Sequence, residues 1–223
     1  MFKAIIIGGT GATGKQLLIQ LIRNQNCELV TSIGRRPVLD GEKNDKLMDI
    51  VVDSLFKLTA TEKYWKNNDV FFNCIGTTRQ RAGGSKEFIN IESGISNEAA
   101  KMAANAKIPH ASLISAKGAN HKIWAKDWIH PLLYMKTIGQ KEQTIISNFS
   151  FNSVSIFKPG MLIRLRGKQT WFEDFSELKG FGLRVDTLAS AMIHDAERVR
   201  LGLVGKSPQY FIGNNHIKSS LEL

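Results

Sequence analysis

The first 22 residues constrain the fold more than any other part of this chain. An apolar run over residues 2–7 is followed by Gly-Gly-Thr-Gly-Ala-Thr-Gly at residues 8–14, and a helix-like stretch continues over residues 15–22. A strand, a glycine-rich turn and a helix bring the backbone close to a pyrophosphate, whose charge then lies at the positive end of the helix. The segment therefore predicts a dinucleotide site, and its binding residues are Gly8, Thr10, Gly11, Ala12, Thr13 and Gly14.

A P-loop is the competing interpretation of the same turn. Residues 9–15 also fit the pattern G-x-x-x-x-G-K, which requires a Ser or Thr next because that hydroxyl ligates magnesium. The next residue is Gln16, whose amide is a poor replacement. The sequence therefore favours dinucleotide binding over phosphotransfer.

The end of the second predicted strand, over residues 29–33, indicates which dinucleotide is bound. An NAD site usually has a carboxylate at this strand end for the ribose hydroxyls, whereas an NADP site has arginine for the 2′-phosphate. Here Arg35 and Arg36 follow the strand, and the nearest downstream acid is Asp40, beyond Pro37. Two guanidiniums suit a dianionic phosphate, so we expect NADP(H), with a solvated basic loop as the alternative.

The remaining apolar runs predict the fold class. They cover residues 46–52, 70–75, 110–115 and 153–157, and helix-like segments over residues 90–106 and 132–147 lie between them. Near-continuous apolar strands that alternate with helices indicate a parallel sheet covered on both faces. We therefore predict an α/β protein with a Rossmann-type, doubly wound parallel sheet.

The 223 residues are predicted to form a single domain. Residues 1–160 form its cofactor-binding core, and residues 161–223 form a small substrate-side cap and a last strand. Within that cap, residues 164–182 show no clear period, and residues 185–199 indicate a helix with Asp186 as its N-cap. The late strand is expected at residues 210–213.

The composition limits the classes of cofactor and partner. The five histidines show no metal-ligand spacing, and the two cysteines are too few for a disulfide framework, so we expect no metal and a reducing compartment. The formal net charge is +10, but the basic residues are scattered without interleaved aromatic residues. We therefore expect no specific nucleic-acid partner.

The expected location is the cytoplasm. No apolar run approaches the ~20 residues that a membrane helix needs, so no transmembrane segment is expected. The first predicted strand begins at residue 2, which leaves no room for a targeting peptide. Peripheral association with an organelle membrane is left open.

Six motifs occur in the order found in a known family. They lie at residues 8–14, 33–36, 51–53, 76–83, 115–119 and 157–160, and the most specific is Gly-Thr-Thr-Arg-Gln-Arg-Ala-Gly at residues 76–83. Over residues 1 to about 165 the chain resembles the atypical branch of the short-chain dehydrogenase/reductase superfamily. Within that branch it is most similar to the family of the Tat-interacting oxidoreductase-like protein and its fungal mitochondrial-proteome relatives.

The resemblance implies a set of cofactor contacts. NADPH would be held by the glycine turn and by the arginine pair. The other implied contacts are Asp53 near the adenine, Ile75, Gly76 and Thr77 along the adenosine-side ribose and phosphates, and Leu162 beside the nicotinamide. A helix N-cap is the alternative for Asp53, and a strand-ending turn is the alternative for residues 75–76.

The superfamily's chemistry uses a tyrosine as proton donor, a lysine one turn later that lowers the tyrosine's pKa, and a serine that polarises the carbonyl. The resemblance places Tyr134 at the tyrosine position, where it would also contact the cofactor, and Ser115 at the serine position. Ile138 occupies the lysine position, and Ala116 stands where relatives tend to carry a second serine. The catalytic set is therefore predicted to be eroded.

Three lysines are candidates for the missing cation. Lys136 lies about 200° round the helix from Tyr134, whereas Lys141 returns to the same face roughly 10 Å further along. Lys117 lies on the loop after the fifth predicted strand. None is a direct replacement, so we expect cofactor binding to be better preserved than turnover.

These observations favour an NADP(H)-binding, regulatory protein with weak or specialised oxidoreductase activity, whose cofactor state alters contacts with protein partners. The alternative is a fully active NADPH-dependent reductase of a small carbonyl compound. A basic scaffold that binds acidic surfaces rests on net charge alone and is the least supported hypothesis.

Overall fold

A computed structural model describes residues 1–126, 130–165, 182–205 and 207–222. Its strands are β1 Phe2–Ile7, β2 Cys27–Gly34, β3 Leu47–Val51, β4 Val70–Asn73, β5 His110–Ile114, β6 Ser153–Lys158, β7 Met161–Ile163, β8 Gly182–Arg184 and β9 Gln209–Ile212. Seven of them form one parallel sheet in the order β3-β2-β1-β4-β5-β6-β9. The direction of chain progression reverses between β1 and β4, and ligands of such sheets bind in the crevice at that point.

Helices connect the strands. They are α1 Ala12–Arg23, α2 Glu62–Trp65, α3 Arg79–Ala82, α4 Ser85–Ile89, α5 Ser96–Asn105, α6 His130–Asn148, α7 Val185–Arg200 and α8 Asn214–Ser219. Short 3₁₀ turns lie at Leu39–Gly41 and Thr59–Thr61, and a π-helical segment, Asn90–Ile95, leads into α5.

The sheet has a hydrophobic core on each face because successive side chains of a strand point to opposite sides. In β1, Ile6 packs into the core that contains residues of α1 and α7. Its neighbours Ile5 and Ile7 pack into the other core, with residues of α5 and α6. Both faces are therefore covered, and the predicted doubly wound Rossmann-type fold is confirmed.

The predicted helix over residues 90–106 is not uniform. Its first six residues are π-helical, and the α-helical geometry begins at Ser96. The side chain of Glu92, in the π-helical segment, is buried and turned toward the loop after β4. π-Helical segments are frequent at functional sites, and this one orients an acidic side chain toward the sheet edge.

The prediction that Asp186 caps α7 is wrong. The N-cap residue is Arg184, because β8 runs directly into the helix and Arg184 is the last residue with extended backbone geometry. Asp186 lies in the first turn, where its carboxylate accepts a hydrogen bond from the Thr187 backbone at 2.8 Å and pairs with Arg184 at 2.7 Å. A carboxylate in the first turn still interacts favourably with the helix dipole.

The C-terminal part contains a feature that the sequence pattern did not predict. Strands β7 and β8 pair in parallel as a small separate sheet. Strands of three residues are too short to show the alternation of apolar and polar side chains that identifies a strand. The sequence pattern therefore predicted an irregular segment here. Most of the segment predicted as an irregular cap, residues 166–181, lies outside the described residues.

Candidate active site

A cavity of about 500 Å³ lies at the carboxyl ends of the central strands. Its wall combines the turn after β1, the end of β2, the loop after β4, and side chains from β5, α6 and β7. Of the residues predicted to bind the cofactor or to act in catalysis, these line the cavity: Gly8, Thr10, Gly11, Ala12, Thr13, Arg35, Arg36, Ile75, Gly76, Thr77, Ser115, Tyr134 and Leu162.

The glycine turn forms a tight cradle. Gly8 has a φ of +81°, and a Cβ atom there would meet the Cys74 carbonyl oxygen at 2.5 Å. Gly11 N–H donates to the Gly8 carbonyl at 2.9 Å, which closes the turn. A Cβ atom on Gly14 would overlap the same Gly8 carbonyl, so this glycine brings the first turn of α1 against β1. The backbone can therefore approach a ligand phosphate at the N-terminus of α1, as a dinucleotide requires.

The arginine pair lies directly after β2, the strand next to β1. Both Arg35 and Arg36 are exposed and line the cavity. In the described part of the chain, neither guanidinium lies within ion-pair distance of a carboxylate. The nearby acid Asp40 instead pairs with Lys15 at 3.6 Å. Two positive charges therefore face the space beside the turn.

A buried ion pair supports the loop after β4. Lys141 Nζ donates to Glu92 Oε2 at 2.9 Å and to the Ile75 carbonyl at 3.3 Å. The other oxygen, Glu92 Oε1, accepts the Thr77 backbone N–H at 2.6 Å. Because Glu92 and Lys141 are each 1% exposed, water screens these contacts little. The pair thus fixes the loop that forms one wall of the cavity.

Tyr134 lies on α6 with its ring stacked on that of Phe88, at a centroid distance of 5.8 Å. Burial raises the pKa of the Tyr134 phenol, the negative charge of Glu92 raises it further, and the positive charge of Arg164 lowers it. One turn later, Ile138 is buried and lines the cavity where relatives of this chemistry place a lysine. The phenol is therefore a weaker acid than an ordinary tyrosine.

The candidate cations occupy different places. Lys141 lines the cavity, but Glu92 balances its charge. Lys117 is exposed on the loop after β5 and is not among the residues lining the cavity, and Lys136 is half-buried outside that lining. Arg164, two residues beyond Leu162, does line the cavity. Sequence reasoning missed Arg164 because it lies in a stretch without a clear period.

Ser115 hydrogen-bonds to a second buried ion pair, which Glu142 and Lys158 form. Its hydroxyl donates to Glu142 Oε1, and Glu142 Oε2 accepts from Lys158 Nζ at 2.9 Å. Lys158 Nζ also donates to the Ala119 carbonyl at 2.9 Å. Sequence reasoning missed Glu142 and Lys158, although Lys158 belongs to one of the family motifs. Their role depends on contacts between β6 and α6 that no local pattern encodes.

Asp53 and Gly14 do not line the cavity. Asp53 is exposed on a bend after β3. It does not cap a helix there either, since the next helical residues are Thr59–Thr61. Gly14 is buried and acts through the packing of α1 against the turn.

Neither a metal-binding cluster nor a membrane-spanning helix occurs among the described residues. Within the ranges that the structure describes, no group of three or more His, Cys, Asp or Glu side chains is arranged to hold a metal ion. None of the helices described there is both long and apolar enough to span a bilayer.

The chain is similar to two sets of curated proteins. It is 37% identical to the mitochondrial protein FMP52 of Debaryomyces hansenii over 166 residues, which cover 74% of this chain and 69% of that protein. For FMP52 of Meyerozyma guilliermondii the identity is 30% over 178 residues, covering 79% and 72%. For HTATIP2 of Rattus norvegicus it is 30% over 158 residues, covering 71% and 62%. No family model matches the chain.

Solved structures share the fold at low sequence identity. The oxidoreductase ylbE of Lactococcus lactis has a TM-score of 0.68 at 16% identity, covering 99% of this chain and 95% of that one. The dTDP-glucose 4,6-dehydratase DesIV of Streptomyces venezuelae, solved with NAD bound, has a TM-score of 0.69 at 12% identity, covering 98% and 80%. These likenesses establish a Rossmann-like α/β fold. The sequence identities to the two FMP52 proteins show that the chain belongs to the FMP52 family.

Proposed function

We propose that this protein binds NADP(H) and acts mainly as a regulator, with weak or specialised oxidoreductase activity. The proposal rests on a difference between the two sides of one cavity. The cradle and the arginine pair on the nucleotide side are complete, whereas Ile138 occupies the lysine position on the side of Tyr134.

The preference for NADP(H) over NAD(H) rests on Arg35 and Arg36. Both side chains line the cavity next to the end of β2, where the adenosine ribose of a dinucleotide lies in folds of this type. Two guanidiniums offer forked donors to a 2′-phosphate, and no carboxylate in the described ranges competes for them. A ribose without that phosphate offers them no partner of opposite charge.

The proposal of weak activity follows from the acidity of Tyr134, the candidate proton donor. A nicotinamide bound here would supply hydride transfer, and this chain's own residues would hold the proton at the Tyr134 hydroxyl. Because burial and Glu92 raise the pKa of Tyr134, the phenol holds its proton tightly. A protein that binds the cofactor but releases this proton poorly does not consume the bound cofactor. Protein partners can then respond to whether that cofactor is oxidised or reduced.

A fully active NADPH-dependent reductase of a small carbonyl compound is the second candidate. Arg164 favours it, because this cation lines the cavity and lowers the pKa of Tyr134, in opposition to Glu92. The regulator and the reductase would both use NADP(H), and they differ in the rate of turnover that is expected.

Calorimetric titration of the purified protein with NADPH and NADH tests the cofactor, and a reductase assay against a panel of small aldehydes and ketones tests turnover. We expect NADPH to bind at least tenfold more tightly, and turnover to be negligible at saturating NADPH. Equal affinities would contradict the NADP(H) assignment. Brisk turnover that Tyr134→Phe abolishes would favour the reductase over the regulator.

For location, we propose the cytoplasmic face of an organelle membrane. The fungal relatives are named as mitochondrial proteins, and a net charge of +10 favours contact with anionic lipid surfaces. Cell fractionation with a salt wash tests this. Release of the protein from the mitochondrial fraction by salt is expected, and full recovery in the cytosol or inside the organelle would contradict it.

A further inference from the structure

Ser115, Glu142 and Lys158 form a buried hydrogen-bonded series that ends at the cavity. Ser115 is 7% exposed and lines the cavity, and Glu142 and Lys158 are 7% and 8% exposed. Ser115 Oγ bonds to one oxygen of Glu142, and Lys158 bonds to the other. The ammonium of Lys158 balances the charge of the carboxylate, so Glu142 remains an acceptor of hydrogen bonds.

The direction of these bonds determines what Ser115 offers to a ligand. A carboxylate only accepts hydrogen bonds, and a hydroxyl has one hydrogen to donate. The Ser115 hydrogen is therefore directed to Glu142, and only the oxygen's lone pairs remain for the cavity. A serine that polarises a carbonyl must do the opposite and donate its hydrogen to the ligand.

We infer that the pocket beside Tyr134 binds an alcohol, through a ligand hydroxyl that donates to Ser115 Oγ, in preference to the corresponding carbonyl compound. This inference rests on the proposed NADP(H) site, because the pocket is the ligand side of the same cavity. A carbonyl oxygen would face the lone pairs of Ser115 without a hydrogen between them. Glu142 and Lys158 are positioning residues, since they act through Ser115.

Two lysines beside these residues are paired within the protein, which agrees with a neutral ligand, and Arg164 is a further cation in the cavity lining. Lys158 is paired with Glu142, and Lys141 is paired with Glu92. Tyr134 lines the same cavity, and its hydroxyl either donates to or accepts from a ligand oxygen. An alcohol oxygen is both donor and acceptor, so it satisfies Ser115 and Tyr134 together.

Ligand-observed NMR on matched pairs tests the inference. The probes are cyclohexanol against cyclohexanone and 2-butanol against 2-butanone, each with and without NADPH. We expect the alcohol of each pair to bind about fivefold more tightly, the worth of one hydrogen bond. Tighter binding of the ketone, equal binding, or binding of neither compound would overturn the inference.

Glu142→Gln provides a reversal test. Lys158 has only donors, so it should orient the amide oxygen of the new glutamine toward itself and the amide nitrogen toward Ser115. Ser115 would then accept from the amide, and its own hydrogen would turn to the cavity. The preference should reverse toward the ketone in this variant and disappear in Ser115→Ala.

Glu62→Gln, at an exposed carboxylate, is the charge-matched control and should keep the alcohol preference. Circular dichroism checks that each variant folds, and the preference of the unmodified protein decides the matter even if Glu142→Gln does not fold. Calorimetry with NADPH on the same samples separates the two proposals. NADPH binding together with a ketone preference would overturn only the alcohol inference, whereas an alcohol preference without NADPH binding would overturn only the cofactor proposal.

Discussion

Lys141 and Glu92 form an ion pair of 2.9 Å in which each side chain is only 1% exposed. Lys141 lies on the same helix as Tyr134 and lines the same cavity. Its charge is nevertheless balanced by Glu92, whose own charge raises the pKa of Tyr134. The lysine thus supports the loop after β4 and does not replace the activating lysine that Ile138 displaces.

Breaking this pair should destabilise the protein. Lys141→Met leaves the Glu92 carboxylate buried without its cation, and we expect a loss of about 3–5 kcal/mol in the free energy of unfolding. Urea denaturation measures the change. Lys66→Met is the control, because its pair with Glu62 is 3.7 Å long and mostly exposed, and it should cost about 1 kcal/mol or less. Similar losses of unfolding free energy in both variants would show that the buried pair stabilises the fold no more than the exposed pair does.

Removing the arginine pair should remove the preference for NADPH. Each charge-assisted contact is worth about 1.5–3 kcal/mol, so the double variant Arg35→Ala/Arg36→Ala should lose at least roughly a hundredfold in affinity for NADPH and little for NADH. Calorimetry measures both affinities. Arg200→Ala, an exposed arginine at the end of α7, serves as the control and should change neither. A double variant that still binds NADPH more tightly would show that other residues select the cofactor.

Two glycines of the turn should respond differently to substitution. Gly11 has a φ of −75° and is exposed to the cavity, so Gly11→Val should leave a folded protein that no longer binds the dinucleotide. A Cβ atom on Gly14 would overlap the Gly8 carbonyl, so Gly14→Ala should lower the melting temperature. Circular dichroism measures folding, and calorimetry measures binding. Retained binding by Gly11→Val would place the ligand elsewhere.

Restoring the missing lysine should make Tyr134 a better acid. Ile138→Lys places a cation about one turn from Tyr134, which favours the phenolate and lowers the pKa of Tyr134. Ultraviolet titration detects the phenolate, and Tyr134→Phe identifies which of the three tyrosines titrates. Reductase activity toward carbonyl compounds should rise in Ile138→Lys. If the unmodified protein is already active and the lysine adds nothing, another cation, Arg164 first, acts on Tyr134.

Asp195 should make stability depend on pH. Burial raises the pKa of Asp195 to about 6, so the folded protein bears the cost of a buried carboxylate above that pH and is relieved of it as the pH falls toward 3.8. Asp195→Asn should therefore stabilise the protein at pH 8, and its advantage should shrink between pH 6 and pH 4. Urea denaturation across this range measures the difference. An advantage that does not change with pH would contradict the raised pKa.

His110 contributes the opposite trend. Burial lowers the pKa of His110 to about 3, so its contribution to stability is present above pH 6.5 and is lost as the pH falls toward 3. Its Nε2 lies 3.6 Å from the Asp195 carboxylate, so Asp195→Asn also changes the surroundings of this imidazole. At neutral pH the imidazole is uncharged, so the two residues do not form an ion pair.

Local patterns in the sequence were sufficient to predict the glycine turn and the position of the arginine pair. The glycine turn requires no distant residue, because strand, turn and helix follow one another directly and the cradle is made of their own backbone. The arginine pair was likewise predictable, since it comes directly after a strand whose apolar run is visible. The doubly wound sheet was predictable as well, because the alternation of apolar strands and helices is visible in consecutive segments of the sequence.

The tertiary structure alone decided what surrounds Tyr134 and Ser115. Glu92 and Lys141 are 49 residues apart, and Ser115 and Glu142 are 27 apart, so no periodicity links the members of either pair. Arg164, which directly follows β7, also lines the cavity. Backbone conformation follows from neighbouring residues, whereas the charge and hydrogen-bond direction at a buried group follow from whichever side chains the fold packs against it. The sequence by itself thus determined the fold and the glycine turn, and the packing of α6 against β5, β6 and the loop after β4 determined the chemistry that the cavity offers.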